Sequence, residues 1–202
     1  MDVIYECAAK FVQLSMYEYK FIVSKNRQTR EIRVNFHNTD FFHLAGLQYL
    51  TDITLPRNKK ETLNDILFKK KITDGIIGKS QKFINPEPEK DVKSRMEELR
   101  FLEEYIDNDN IIQIFTMRNM RNAYSNIRGE YVIKSKLPNS SIVVYLFLSR
   151  RKEEPEYYGL ISFFVEESIS YGGDKLYWML KEKKTLHGWK TLYRHNSYLI
   201  SK

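Results

Sequence analysis

The sequence predicts an α+β fold, with N-terminal helices and a β-hairpin followed by an antiparallel sheet. Three observations carry this. Apolar residues recur at helical spacing through most of the first half, whereas from Asn110 onward β-branched and aromatic residues gather in short runs between polar turns. A chain of 202 residues with 42% apolar content, 14 Tyr and 12 Phe can bury one substantial core despite its 29% charged residues. A single domain over 1–202 is expected, with a helical, lysine-rich insertion at about 57–107.

In order, Ile4, Ala8, Phe11 and Val12 mark an amphipathic helix over about 2–14. YEYKFIVS (17–24) and REIRVNF (30–36) alternate apolar with polar residues around KNRQT and read as a hairpin. HNTD (37–40) offers N-cap residues for a helix through FFHLAGLQYL to about residue 51, which Leu55-Pro56 ends. ETLNDILFKK is a further helix, and the lysine-rich stretch 57–82 reads as a solvated face. After the proline-broken NPEPEKD, the segment VKSRMEELRFLEEYI places Met96, Leu99, Leu102 and Ile106 on one helical side. Strands are then expected at 111–117, 129–137, 141–149, 157–167 and 174–184, with Pro138-Asn139 turning a hairpin.

A net charge of +7 makes the surface attractive to polyanions, RNA first among them. One cysteine, Cys7, excludes a disulfide framework and a thiolate zinc site. The N-terminus lacks a basic leader and no stretch has the apolar length of a membrane span, so a cytoplasmic protein without a membrane partner is expected. Phosphate-loop, dinucleotide, HExxH and EF-hand motifs are absent, and His37, His43, His187 and His195 include no pair at i, i+4 spacing. Neither a cofactor nor a metal is expected.

What remains is cationic and hydroxyl chemistry: Lys134, Lys136, Lys181 and Lys183 on strands, Ser162 and Tyr171 near them, and His43 in an apolar helix. RNA carries its own nucleophile in the 2′-hydroxyl, so such residues can cleave it with a base, an acid and cations alone. At a helix start His43 would be kept neutral by free N–H groups; as a lone histidine among apolar residues it is equally readable as hydrogen-bonded core. Gly46, one turn on, suggests close approach of another backbone or a ligand. Period-two alternation puts Lys181 and Lys183 on one face with Tyr177 and Met179, and Trp178 and Leu180 on the other. Arg118, Arg121 and Arg128 in MRNMRNAYSNIRG could clamp phosphates, with Lys183 and Trp178 as further nucleic-acid contacts.

FHLAGL (42–47) after a hairpin, LISFFVEE (160–167), Tyr171 and LYWMLKEKK (176–184) together resemble the phage-associated barnase-EndoU-colicin-RelE-like (BECR) nuclease families. The resemblance spans about 19–184. It implies a metal-independent RNA-cleaving site across the sheet, with His43 as the histidine of the HLxGL signature, Ser162 the hydroxyl beside the paired phenylalanines, and Tyr171 and Lys181 the later polar positions. Lys134 joins them by strand position only. The expected function is endoribonuclease action by 2′-OH transesterification, in a phage or mobile-element protein with RNA as partner and a cognate inhibitor or host protein as a further one. The alternative is a non-catalytic nucleic-acid-binding or host-factor-binding protein. A cleft shared by the His43 ring and the Lys181 amine is the geometry this mechanism asks for. The oligomeric state is not written in the sequence.

Overall fold

The computed structural model describes residues 2–56, 58–87, 90–116, 127–165 and 171–198. Helix α1 (Val3–Leu14) is capped by the Asp2 carboxylate, which accepts from the Tyr5 N–H, and it buries Ile4, Cys7, Ala8, Phe11 and Leu14. The hairpin β1 (Glu18–Lys25) and β2 (Gln28–Val34) follows. Short helices α2 (Phe41–Leu44), α3 (Thr62–Leu67), α4 (Asp74–Ile77), α5 (Gln81–Ile84), α6 (Val92–Leu99) and α7 (Leu102–Asp107) fill the middle. Strands β3 (Ile111–Phe115), β4 (Tyr131–Lys136), β5 (Val143–Arg150), β6 (Tyr157–Val165), β7 (Gly173–Thr185) and β8 (Gly188–Arg194) complete the chain.

The sheet is not the antiparallel meander that the strand order suggests. Its order is β1-β2-β6-β5-β4-β3-β7-β8, and β1 also pairs with β7. Seven strands therefore close into a barrel, mixed because β2 runs parallel to β6 at Arg33↔Tyr157 and Val34↔Tyr158. The 13-residue β7 makes closure possible, pairing with β3 through its first residues and with β1 and β8 through its last. β8, from GWKTLYR, has few buried residues and no clean alternation, so periodicity gave no signal for it.

Alternation along the strands separates two cores. Tyr131, Ile133, Val144, Leu146, Leu148 and Phe163 join the helices in the large core, whereas Val132, Tyr145, Phe147 and Phe164 form a smaller aromatic cluster on the opposite face with Tyr171. At Met179 the alternation breaks: Ile22 pairs with Leu180 but Val23 pairs with Trp178, so one residue of β7 bulges. The bulge moves Trp178 to the side of Lys181 and Lys183, whose ammonium and ring lie 5.1 Å apart in the case of Lys181. The expected opposition of Trp178 to the lysines fails for that reason.

Two helices expected to be continuous are broken. The 92–107 segment divides at Arg100-Phe101, leaving α6 and α7. The 41–51 segment keeps only α2, because Gly46 adopts φ +74° and a 3₁₀ turn at Leu47–Tyr49 follows. An added Cβ at Gly46 would lie 3.1 Å from Arg95 Cδ and 3.4 Å from Val92 Cγ2, so this glycine serves both the left-handed turn and the close passage of Arg95. The Gly46→Ala protein is expected to lose about 1–2 kcal/mol of stability, the cost of a left-handed non-glycine residue. Urea unfolding checks this, and an unchanged midpoint would contradict it.

Candidate active site

Arg95 ties the two most distinctive sequence motifs together. From α6 its buried guanidinium donates to the Phe163 carbonyl at 2.7 Å. It lies 4.2 Å from the Phe164 ring centre and 5.1 Å from that of Tyr49. Phe164 in turn stacks on Tyr171, with centroids 5.6 Å apart and planes 27° apart. FHLAGLQY and SFF are thus joined through a cation that neither contains. Burial works against the charged guanidinium, while the Tyr49 and Tyr171 hydroxyls favour it.

Tyr171 is buried between the edges of Tyr145 and Phe147, both 5.2 Å away. Lys134 pairs across the strands with Tyr145 and holds its ammonium 5.3 Å from that ring. Ser162 pairs with Phe147, so it shares this face and is partly exposed. The fold therefore brings Lys134, Ser162 and Tyr171 onto one face of β4, β5 and β6, away from the main core. Arg128 is exposed just before β4. Arg118 and Arg121 lie outside the described residues.

His43 is the third residue of the single-turn α2, whose N-cap is Asp40, so it lies in the first turn, but a helix of four residues carries little macrodipole. Its ring is half-buried, and burial followed by the nearby Lys59 ammonium lowers its pKa, against an opposing pull from Asp40. Lys59 Nζ is 2.6 Å from Nε2 of the ring. The start of this segment is pinned by Arg151, which donates to Asp40 Oδ2 at 2.6 Å and to the Asn35 side chain at 2.5 Å. Gly159 on β6 is what admits that guanidinium, since a Cβ there would lie 2.6 Å from Arg151 Cζ.

The ammonium beside His43 is that of Lys59. Lys181 is enclosed: its Nζ donates to the Ile106 and Asn108 carbonyls at 2.8 and 2.7 Å, capping the C-terminal end of α7. Lys183 is bound to Glu103 and, at 2.7 Å, to Asp107, which also accepts from the Tyr19 hydroxyl. Both lysines dock α7 onto the sheet. Trp178 donates from Nε1 to the Asn110 carbonyl at 2.7 Å and packs on the main core. Sequence reasoning passed over Arg95 and Lys59. The first is one charge in an amphipathic helix and the second one lysine in a basic run, so neither stands out without the third dimension.

Cys7 is buried and donates its thiol hydrogen to the Met96 carbonyl, and burial pushes its pKa up to about 12, which removes it as a nucleophile. Among the described residues no three His, Cys, Asp or Glu side chains converge as metal ligands would. None of the described helices is long and apolar enough to cross a membrane.

A partly desolvated imidazole beside an exposed ammonium suits an enzyme that handles phosphodiesters. The family comparison gives that class a name: the model described as phage-Barnase-EndoU-ColicinE5/D-RelE like nuclease4 matches residues 3–197, and the chain belongs to this nuclease family. The matched span includes the lysine-rich helical segment. No curated protein and no solved structure matches the chain.

Lys181 and Lys183 on β7 shift in opposite directions. Burial lowers Lys181 from 10.5 to about 8. Lys183, although burial opposes it, is raised by Asp107 and Glu103. Between about pH 8 and 10 the unfolded chain holds the Lys181 proton more tightly than the folded one, so Lys181 adds stability as pH rises, against an opposing loss from about pH 9 at Cys7, whose folded pKa of about 12 lies above its ordinary 9.0. Above pH 10 the buried Tyr19, Tyr105 and Tyr158, whose pKa values are raised mainly by burial, reverse the trend. Urea midpoints measured at pH 7, 8, 9 and 10 check this. The Lys181→Met protein should lose stability with rising pH earlier and more steeply than the parent; the same pH trend in both proteins would contradict the assignment.

Proposed function

We propose that the protein is an endoribonuclease that cleaves RNA by attack of the 2′-hydroxyl on the adjacent phosphorus, without a metal ion. The observation that carries the reading is the pairing of a neutral imidazole, His43, with the exposed Lys59 ammonium 2.6 Å away. In the first step the 2′-oxygen to phosphorus bond forms, the phosphorus to 5′-oxygen bond breaks, and the 2′ proton passes to His43. Lys59 faces the charge that develops on the phosphoryl oxygens. An acid must return a proton to the departing 5′-oxygen, and the products are a 2′,3′-cyclic phosphate and a 5′-hydroxyl.

Lys134 and Ser162, partly exposed on the aromatic face, orient the phosphate and neighbouring backbone. Tyr171, packed against Phe164, holds that face against the Arg95 column and its hydroxyl serves as a relay for protons. Lys181 takes no part, since its ammonium is already engaged by three acceptors of the α7 to β3 connection.

Incubation with mixed RNA in EDTA should yield cyclic-phosphate ends, and the His43→Ala protein should be slower by about 10²–10⁴-fold. Because the ring's pKa lies below its ordinary 6.5, kcat/KM should hold at neutral pH and fall only as pH drops below 6.5. Lys59 is the second cause of that lowering, so the Lys59→Met protein should show its acid limb shifted to higher pH as well as a lower rate. Cleavage that needs added metal, or binding of RNA without turnover, would overturn the proposal, the latter in favour of a binding protein.

A further inference from the structure

A broad groove lies at the barrel end where the β1–β2 turn meets β7 and β8. Its volume is about 860 Å³. Arg27, Lys175, Tyr177, Trp178 and Tyr193 line it, with Asp109 the acid among the lining residues. That size falls within the range of ligand pockets.

Three features suggest a ligand with flat rings and negative charge. Tyr177 is 61% exposed although it lies on a barrel strand, and Tyr193, on the flanking β8, is 40% exposed. Lys175 holds its ammonium 5.5 Å from the Tyr177 ring, two residues along the same strand, so a cation and a ring face are offered together. Trp178 is fixed behind them by its bond to Asn110, with the Phe21 ring 5.2 Å away.

The turn supplies a fourth. Asn26 and Arg27 link β1 to β2 as a two-residue turn with φ of 52° and 65°. Turns of this kind favour glycine at the second position, because a side chain there is strained. An arginine in that place weakens the hairpin, and what it adds is a guanidinium at the rim of the groove.

We propose that this groove binds a single-stranded segment of RNA through base stacking on Tyr177 and Tyr193 and phosphate contacts to Arg27 and Lys175. The inference rests on the endoribonuclease reading and extends it: the groove would hold nucleotides flanking the scissile one, so that longer strands bind more tightly. Stacking of bases on aromatic rings tolerates any sequence, and the two cations make the binding salt-sensitive.

The test is fluorescence anisotropy with a labelled 2′-O-methyl RNA dodecamer, which binds but offers no 2′ nucleophile. The full-length protein is compared with its Arg27→Gly and Lys175→Ala/Tyr177→Ala variants, with thermal melts of each. The double variant should bind about tenfold more weakly, with a shallower salt dependence, by about 0.7 in slope for the lost phosphate contact. Arg27→Gly should also weaken binding while melting at or above the parent temperature, which separates loss of a ligand contact from loss of fold. Equal affinity and equal salt slope in all three proteins would overturn the groove even if the parent cleaves RNA. Weaker binding in the variants of a parent that never cleaves RNA would support the groove and sink the nuclease mechanism alone. A parent that neither binds nor cleaves would sink both, and a self-association abolished by the double variant would give the groove to a second copy instead.

Discussion

A buried guanidinium holds the FHLAGLQY and SFF segments together. The described contacts of Arg95 include the Phe163 carbonyl and the faces of Tyr49 and Phe164. A charge in that position is expensive to desolvate, and it is tolerated because arginine is the least hydrated of the cations and stacks on rings. The arrangement makes three segments depend on one side chain. Gly46 must be left-handed and bare for Arg95 to pass, β6 must turn Phe163 and Phe164 to opposite faces, and Tyr171 must close the stack.

The lysines of β7 show the same economy at the other side of the sheet. A helix as short as α7 leaves nearly all its terminal carbonyls without partners, and Lys181 reaches two that lie at and beyond its end. Lys183, one pleat on, meets Glu103 and Asp107 of that helix. The two ammonium groups differ in titration because burial outweighs the pull of Asp107 and Asp109 on Lys181, whereas Lys183 bonds directly to the carboxylates of Glu103 and Asp107. Sequence alone makes them equivalent members of KEKK. Their contacts make one a helix cap and the other half of a buried ion pair.

What could be read from the sequence follows the range of the physics involved. α1 and the first hairpin depend on local periodicity and on Asp2, and both were legible within a residue or two. The positions of β3 to β7 were legible for the same reason. Closure was not, because the pairings of β1 with β7 and of β2 with β6 join strands more than a hundred residues apart, and nothing local encodes them. The bulge at Met179 was hidden too, since the sequence LYWML shows no break in its alternation. For the candidate site, Ser162 was named through the family resemblance and Lys134 through its strand, whereas the partner of His43 came from a lysine run whose members look alike until one of them is folded against a ring.

That partner changes what kind of catalyst the fold supports. An ammonium sealed under α7 can stabilise only the protein, whereas Lys59 is exposed and sits outside the barrel, so a phosphate can replace its contact with Nε2 without breaking the core. Release of Nε2 and delivery of a cation to the phosphate would then be one event. In the free protein the same ammonium discourages protonation of the ring, keeping the imidazole in the form that accepts a proton. In the proposed mechanism RNA supplies the nucleophile, so the protein need only position a base and a cation and return one proton. The barrel, Arg95 and Arg151 provide the rigid frame for that task, and the 3₁₀ turns and short helices around His43 leave the reacting groups on segments that can adjust to a substrate.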